Sequence, residues 1–180
     1  MNIFVTGASG FVGGAAARRL VAAGHSVTAM SRSERSDAAI RALGAEPVRC
    51  SLDDVTAEQL ADCEVVIHAA AFVEPWGEPD AWDKANVGGT RRMLLAARRA
   101  GTGKSMRFIH IGTEAALVLG QDLVDADETY PLAFGSPYPY CRTKALAEQA
   151  VIDANDEAGE FTTIVLRPRF IWGPGDQTLL

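Results

Sequence analysis

Short runs of β-branched and other apolar residues alternate with helical patterns along the whole chain. The strand-like runs cover residues 2–6, 26–30, 46–50, 65–68, 107–111 and 162–166. The helical patterns between them cover residues 11–23, 36–43, 57–60, 80–100 and 138–158. This alternation is typical of a parallel sheet with helices on both faces. We therefore predict an α/β fold, a doubly wound parallel sheet of six strands, with its ligand site beyond the carboxyl ends of the strands.

Composition narrows the class of protein further. The chain has 180 residues, of which 48% are hydrophobic, so it can build one substantial core but not two full-sized domains. Its 17 basic and 23 acidic residues give a net charge of −6, which argues against nucleic-acid or membrane binding through phosphate neutralisation. The longest apolar stretch, residues 65–73, is far shorter than the ~20 residues of a membrane span. The chain enters a strand-like run at once, without a secretory signal pattern, and we expect a cytoplasmic protein.

The cysteines and histidines are scattered rather than grouped. They are Cys50, Cys63, Cys141, His25, His68 and His110. Without a CxxC pair or ligand spacing, we expect reduced thiols and no metal centre. We expect His110 to be a half-exposed strand residue.

A glycine-rich segment, TGASGFVG, follows the first strand directly. Gly7 would allow a tight turn, Gly10 would let the backbone approach a pyrophosphate, and Gly13 would let the helix pack on the strand. The free N–H groups of Phe11 and Val12 at the helix start would then bind the anion. Because a strand precedes the segment and a helix follows it, the sequence predicts dinucleotide binding in a Rossmann fold.

The end of the second strand bears on the choice of dinucleotide. An NAD site would normally place a carboxylate there, but this chain has Ser31 and Arg32. A guanidinium and a hydroxyl suit the 2′-phosphate of NADP. We therefore predict NADP rather than NAD. The alternative is that Arg32 is simply a solvent-exposed arginine.

Three residues have the chemistry of an acid-base site. Tyr140 and Lys144, in YCRTK, lie four apart on one face of a predicted helix. A nearby ammonium lowers the pKa of a phenol and makes it a better catalyst near neutral pH. Thr113 follows the fifth strand, where its hydroxyl could bond a substrate oxygen. A threonine at a strand end is often only a turn former.

Five segments in order resemble the motifs of the extended short-chain dehydrogenase/reductase family, the NAD-dependent epimerases and dehydratases. They are TGASGFVG, IHAAA, NVGGT, YCRTK and LRPRFIWGPGD. The last segment and the stretch FVEPWGEPDAWDKANVGGT look most similar to the 3β-hydroxysteroid dehydrogenase-like branch.

The resemblance assigns roles to individual residues. It implies that Tyr140 is the catalytic acid-base, Lys144 its activator and a ligand of the nicotinamide ribose, and Thr113 the catalytic hydroxyl.

The resemblance also implies contacts with the cofactor. Leu52 would cover the adenine, although Ser51 replaces the acidic residue usual before it. Small side chains at Ala69, Ala70 and Ala71 would make room for the cofactor, Pro168 would lie beside the nicotinamide, and Asn86 would orient backbone between helix and strand.

Family members also continue past the GPGD segment into a smaller lobe that encloses the substrate. We accordingly interpret residues 1–168 as the dinucleotide-binding domain and residues 169–180 as the start of a truncated substrate-binding region. We expect such a half alone to bind cofactor weakly and to lack turnover. The family also suggests a homodimer formed through the two long helices, residues 80–100 and 138–158.

These observations favour an NADP-linked oxidoreductase acting on a carbonyl or secondary alcohol of a small molecule. Two alternatives stay open. One is a non-catalytic regulatory module that binds a dinucleotide, and the other is an epimerase or dehydratase that transiently oxidises a nucleotide sugar.

Overall fold

Six parallel strands form one sheet in the computed structural model, which describes residues 1–74, 76–78, 80–156 and 158–176. The strands are β1 (Asn2–Thr6), β2 (Ser26–Ser31), β3 (Glu46–Arg49), β4 (Val65–His68), β5 (Met106–Ile111) and β6 (Phe161–Leu166). Their order is β3-β2-β1-β4-β5-β6, and each neighbouring pair is parallel. The order reverses its direction of growth at β1, so the sheet is doubly wound and the predicted fold is confirmed.

In the described residues, four α-helices cover the sheet: α1 (Phe11–Ala22), α2 (Glu34–Ala42), α3 (Gly89–Ala100) and α4 (Pro139–Asp153). Helix α2 starts two residues before the predicted position because Ser33 caps it, accepting a bond from the Ser36 N–H at 3.2 Å. The predicted helix 57–60 is a short 3-10 turn, Glu58–Leu60. In the described ranges, no helix is both long and apolar enough to cross a membrane.

The two long predicted helices, residues 80–100 and 138–158, have different bounds in the structure. Before α3 the chain forms a π-helical segment, Asp83–Gly88, in place of regular α-helix. Helix α4 ends at Asp153, earlier than predicted, and position 157 of the predicted helix lies outside the described residues. A second 3-10 helix, Glu114–Leu117, follows β5 and was not predicted.

Both faces of the sheet are buried in apolar clusters. Phe4 and Phe108 point into one cluster with Met93 of α3. Ile3 and Val5, which flank Phe4 in β1, point into the other, as the alternation of side chains along a strand requires. Because the strands are parallel, the residues that end β1, β4, β5 and β6 all lie at one edge, where the predicted site residues cluster.

Candidate active site

The loop between β1 and α1 packs so tightly that two of its glycines cannot carry a side chain. Gly7 has a φ of 74°, and a β-carbon there would lie 2.9 Å from the amide nitrogen of Ala70. A β-carbon on Gly13 would lie 2.4 Å from the carbonyl oxygen of Gly7. Both positions therefore require glycine, and the steric roles predicted for Gly7 and Gly13 are confirmed.

The start of α1 presents backbone N–H groups that the helix does not use. Gly10 precedes the helix, and its own N–H donates to the carbonyl oxygen of Gly7 at 2.9 Å. The next N–H groups, those of Phe11, Val12 and Gly13, have no acceptor within an α-helix. The first turn contains no acidic side chain, and it lies at the positive end of the helix dipole. This arrangement can hold the diphosphate of a dinucleotide.

A buried hydrogen-bond network fixes the loop that faces Gly7. Thr6 Oγ1 accepts bonds from the amides of Ala69 and Ala70 at 3.1 and 3.0 Å and lies 2.8 Å from His68 Nδ1. With its lone pairs occupied, the hydroxyl must donate to Nδ1, so the His68 ring hydrogen is on Nε2 and is donated to Thr90 Oγ1 at 3.0 Å. This network was not predicted, although the IHAAA segment contains His68 and the NVGGT segment contains Thr90.

Asn86, in the π-helical segment, connects the loop after β4 to α4. Its Oδ1 accepts a bond from the Phe72 N–H at 2.7 Å, and its Nδ2 donates to the Phe72 carbonyl oxygen at 3.1 Å. Nδ2 also donates to the hydroxyl of Thr143 at 3.2 Å. The predicted role of Asn86 in orienting backbone is therefore confirmed. Since Thr143 directly precedes Lys144, the same amide also helps to fix that part of α4.

Thr113 and Tyr140 meet at the carboxyl edge of β5. The Thr113 hydroxyl accepts a bond from the Ala115 N–H at 3.1 Å at the start of the 3-10 helix. The side chain of Tyr140, the second residue of α4, approaches Thr113 at this edge. Burial raises the pKa of Tyr140, and Thr113 opposes this by lowering it. The structure thus brings together two of the predicted catalytic residues, with the phenol protonated at neutral pH.

Lys144 lies one turn after Tyr140 and points at the sheet. It is 3% exposed, and its Nζ donates to the carbonyl oxygen of Ile111, the last residue of β5, at 2.9 Å. Burial lowers the pKa of Lys144 to about 8, against the opposing effect of the Glu148 carboxylate. We predicted that Lys144 lowers the pKa of Tyr140. In the structure burial has the larger effect on this phenol, and Thr113 provides the lowering contribution.

His110 differs from its prediction. It is 1% exposed rather than half-exposed, because β5 is a central strand that is covered on both faces. Its ring centroid lies 5.4 Å from that of His68, and neither of its ring nitrogens has a hydrogen-bond partner among the described residues. Burial and the charge of Lys144 lower the pKa of His68 to about 3 and hold the pKa of His110 well below its usual value. Both rings are therefore neutral at neutral pH.

Ser31 and Arg32, the two residues predicted to contact a 2′-phosphate, differ in exposure at the end of β2. The Ser31 side chain is buried, donates to the carboxylate of Asp37 and lies 2.6 Å from the Ser36 hydroxyl. It therefore faces α2, and this arrangement does not support the predicted contact with a phosphate. Arg32 is exposed, and in the described part of the chain its guanidinium pairs with no carboxylate.

Leu52 and Pro168 lie at opposite ends of this edge. The side chain of Leu52 packs beneath Gly89, where a β-carbon would lie 2.7 Å from Leu52 Cδ1. The carbonyl oxygen of Pro168 accepts a bond from the Glu114 N–H at 3.2 Å. Pro168 therefore lies next to the turn that carries Thr113, on the side where a nicotinamide was expected.

An open groove of about 1520 Å³ adjoins this turn. Its apolar walls include Ile111 and Leu166 of the sheet and Leu117 of the 3-10 helix. Glu114 and Pro168 also line it, so the groove begins next to the Thr113 turn.

A doubly wound parallel sheet with this glycine loop at its first strand defines the class of dinucleotide-binding folds. The sequence model of the NAD dependent epimerase/dehydratase family matches residues 3–179. The chain belongs to this family, and the resemblance seen in its five sequence segments is confirmed.

Curated relatives include reductases. The chain is 42% identical over 182 residues to the 4-hydroxy-2-methyl-3-oxo-4-farnesyl-3,4-dihydroquinoline-1-oxide ketoreductase of Stigmatella aurantiaca, covering 100% of this chain and 53% of that protein. It is 38% identical to the 2-alkyl-3-oxoalkanoate reductase of Stenotrophomonas maltophilia, covering 100% of this chain and 54% of the relative. The chain thus spans about half the length of the curated relatives it matches.

Solved structures share the fold. The UDP-glucuronic acid 4-epimerase of Bacillus cereus in complex with NAD aligns with a TM-score of 0.81 at 23% identity, over 100% of this chain and 60% of that one. A short-chain dehydrogenase/reductase superfamily protein of Agrobacterium tumefaciens with bound NAD aligns with a TM-score of 0.73 at 30% identity, over 93% of this chain and 48% of the other.

The neutral histidine pair predicts a pH-dependent stability. Below about pH 6.5 the unfolded chain protonates both rings, whereas the folded protein leaves them neutral to a far lower pH. The contribution of each neutral ring to the free energy of unfolding is therefore complete above about pH 6.5. As the pH drops below this value, the free energy of unfolding falls by about 1.4 kcal/mol per pH unit for each ring. Urea unfolding at several pH values between about 6.5 and 5 measures this slope.

His110→Leu provides the matched comparison. This substitution removes one titrating ring together with its two unpaired nitrogens, so we expect the slope to fall by about half while stability at neutral pH is kept. An unchanged slope in the folded variant would contradict the neutral state of His110.

Proposed function

We propose that the protein is an NADP-linked oxidoreductase that interconverts a carbonyl group and a secondary alcohol on an apolar small molecule. The observation that carries this proposal is the approach of Tyr140 to Thr113 at the carboxyl edge of β5, one helical turn from the buried Lys144. Two neighbouring hydroxyls can both bind one substrate oxygen.

The residues at the edge of the sheet fit a nicotinamide dinucleotide. Gly7 and Gly13 leave a turn that no side chain enters, and the N–H groups of Phe11 and Val12 would hold the diphosphate. The residues after β4, from Ala69 to Ala71, are small, and Pro168 lies beside the Thr113 turn. When bound, the nicotinamide supplies or accepts a hydride.

The residues of this chain would supply the proton and polarise the oxygen. In the reductive direction the Tyr140 hydroxyl gives its proton to the substrate oxygen, while the Thr113 hydroxyl donates a hydrogen bond to the same oxygen. Lys144, held at the end of β5 by the carbonyl of Ile111, would stabilise the phenolate that forms and bind ribose hydroxyls. The raised pKa of Tyr140 supports reduction, because the acid is present in its protonated form.

The substrate class follows from the groove and from the relatives. The groove next to the Thr113 turn is lined by apolar side chains that include Ile111, Leu117 and Leu166, and also by six carboxylates and two arginines. The two reductases above are named for 3-oxo compounds with a farnesyl or alkyl group. The names of these relatives and the apolar part of the groove support a ketone that carries an apolar chain.

Arg32 supports NADP as the cofactor. Its exposed guanidinium follows β2, where a carboxylate would favour NAD. A guanidinium can form two charge-assisted hydrogen bonds with a 2′-phosphate.

The alternatives have less support. A non-catalytic dinucleotide-binding module would not need Thr113 and Tyr140 close together beside a buried lysine. Epimerase or dehydratase chemistry begins with the same oxidation, but its support is a likeness of fold at 23% identity, whereas the relatives of 42% and 38% identity are reductases.

Two further proposals concern the organisation of the whole protein. Residues 1–168 would form the nucleotide-binding domain, and the segment from residue 169 would begin the substrate-binding region. Residues 177–180 of that segment lie outside the described residues. Two copies would pair through α3 and α4, which expose Leu95 and Ile152.

Tyr140→Phe tests the acid-base assignment. The substitution removes the transferable proton and keeps the ring, so in the full-length protein turnover of a 2-alkyl-3-oxo substrate should fall by about 10²–10⁴-fold. NADPH affinity, measured by fluorescence titration, should stay within about twofold, because the phenol acts on the substrate oxygen.

Tyr138→Phe is the matched control, since this exposed tyrosine lies just before α4. It should keep wild-type turnover. Wild-type turnover in folded Tyr140→Phe would exclude Tyr140 as the acid.

Arg32→Ala tests the cofactor. Loss of a charge-assisted bidentate contact should weaken NADPH binding by about tenfold or more, while NADH affinity should hardly change. Arg99→Ala, at an exposed arginine of α3, should leave both affinities unaltered. Tighter binding of NADH than of NADPH by the wild-type protein would overturn the assignment.

A further inference from the structure

A buried carboxylate lies one helical turn beyond Lys144. Glu148 is 1% exposed; its Oε1 accepts a hydrogen bond from Arg167 Nε at 2.7 Å and lies 2.6 Å from Arg167 Nη2 in an ion pair. Its Oε2 has no hydrogen-bond partner among the described residues and faces Gly112, where a β-carbon would lie 3.5 Å away. Burial of a carboxylate is costly unless other groups compensate its charge.

Arg167 connects this carboxylate to two other segments. It directly follows β6 and precedes Pro168, the residue that lies beside the Thr113 turn. Its Nη1 donates to the carbonyl oxygens of Asp127 and Glu128 at 3.4 and 3.3 Å. The loop that carries these carbonyls leads into α4, and the ion pair therefore joins α4, the exit of β6 and that loop.

Lys144 interacts electrostatically with His68 of β4, with His110 of β5 and with Glu148 of its own helix. His68 of β4 and His110 of β5 are neutral, as derived above, and they provide no counter-charge. Arg167 is cationic, and Glu114 of the 3-10 helix is paired with Arg169 at 3.2 Å. The Glu148 carboxylate, which pairs with Arg167, turns its second oxygen to Gly112, the residue after the Ile111 carbonyl that binds Lys144 Nζ, and it raises the pKa of Lys144.

We propose that Glu148 is a positioning residue of the active site: its carboxylate keeps Lys144 as an ammonium ion and, through Arg167, holds the exit of β6 against α4. This inference rests on the proposed function, because it assigns how the charge beside Tyr140 is maintained. Glu148 itself would touch neither the substrate nor the nucleotide.

The electrostatic part of the inference can be measured without turnover. The intact protein is labelled with ε-¹³C-lysine, and the Lys144 signal is assigned by its loss in Lys144→Arg. Its titration midpoint, about 8 by the argument above, is then followed by NMR in the absence of nucleotide.

Glu148→Gln keeps the size of the side chain and removes its charge. We expect the Lys144 midpoint to fall by about one pH unit or more, because a counter-charge is lost. Arg167→Gln removes the competing cation and should move the midpoint upward. Glu148→Asp, which restores a carboxylate, should bring the midpoint back towards the wild-type value.

Glu34→Gln is the matched control, because it makes the same charge change at an exposed position on α2; its midpoint should equal the wild-type value. An unshifted midpoint in folded Glu148→Gln would overturn the proposal. If that variant does not fold, an unshifted or lowered midpoint in Arg167→Gln overturns it. Ketone turnover, measured in parallel, tests the proposed function separately, because the Lys144 midpoint does not depend on it.

Discussion

The backbone at Gly7 lies so close to the end of β4 that no side chain fits between them, and the geometry of the candidate site depends on this contact. The amide of Ala70 that approaches Gly7 is itself bonded to Thr6. Thr6 in turn bonds His68, which reaches Thr90 of α3. This close contact therefore fixes the relative positions of the β1–α1 loop, the loop after β4 and the start of α3. In a doubly wound sheet this is the place where the strand order reverses and a crevice opens.

A second set of hydrogen bonds positions the residues with acid-base chemistry. Asn86 ties the loop after β4 to α4 through Phe72 and Thr143. Helix α4 then brings Tyr140 to Thr113 and Lys144 to the end of β5. A hydroxyl pair, a buried ammonium and a glycine turn thus share one edge because the strands that carry them are parallel and adjacent. The proposed chemistry needs these three features together, and the fold accounts for their proximity.

The sequence predicted the strands well because parallel strands buried on both faces are nearly continuous apolar runs. It also predicted the steric roles of Gly7 and Gly13, where no β-carbon fits. It missed the π-helical segment around Asn86, because hydrophobic periodicity does not encode this local departure from an α-helix. The capping pair Ser33 and Ser36 was a readable signal for the earlier start of α2.

The pairing of Glu148 with Arg167 joins residues 19 apart in sequence, and only the packing of α4 on β6 brings them together. The burial of Ser31 and His110 likewise follows from neighbouring elements rather than from local sequence.

Isotope transfer would test the proposed hydride transfer to a ketone at this edge of the sheet. The intact protein would be incubated with a 2-alkyl-3-oxo substrate and with NADPH carrying deuterium at C4, using each C4 epimer in turn. We expect one epimer, and not the other, to deliver its deuterium to the carbinol carbon of the alcohol product, as detected by mass spectrometry. Product that lacks deuterium with both epimers, or substrate that returns unreduced from the folded full-length protein, would exclude this hydride transfer.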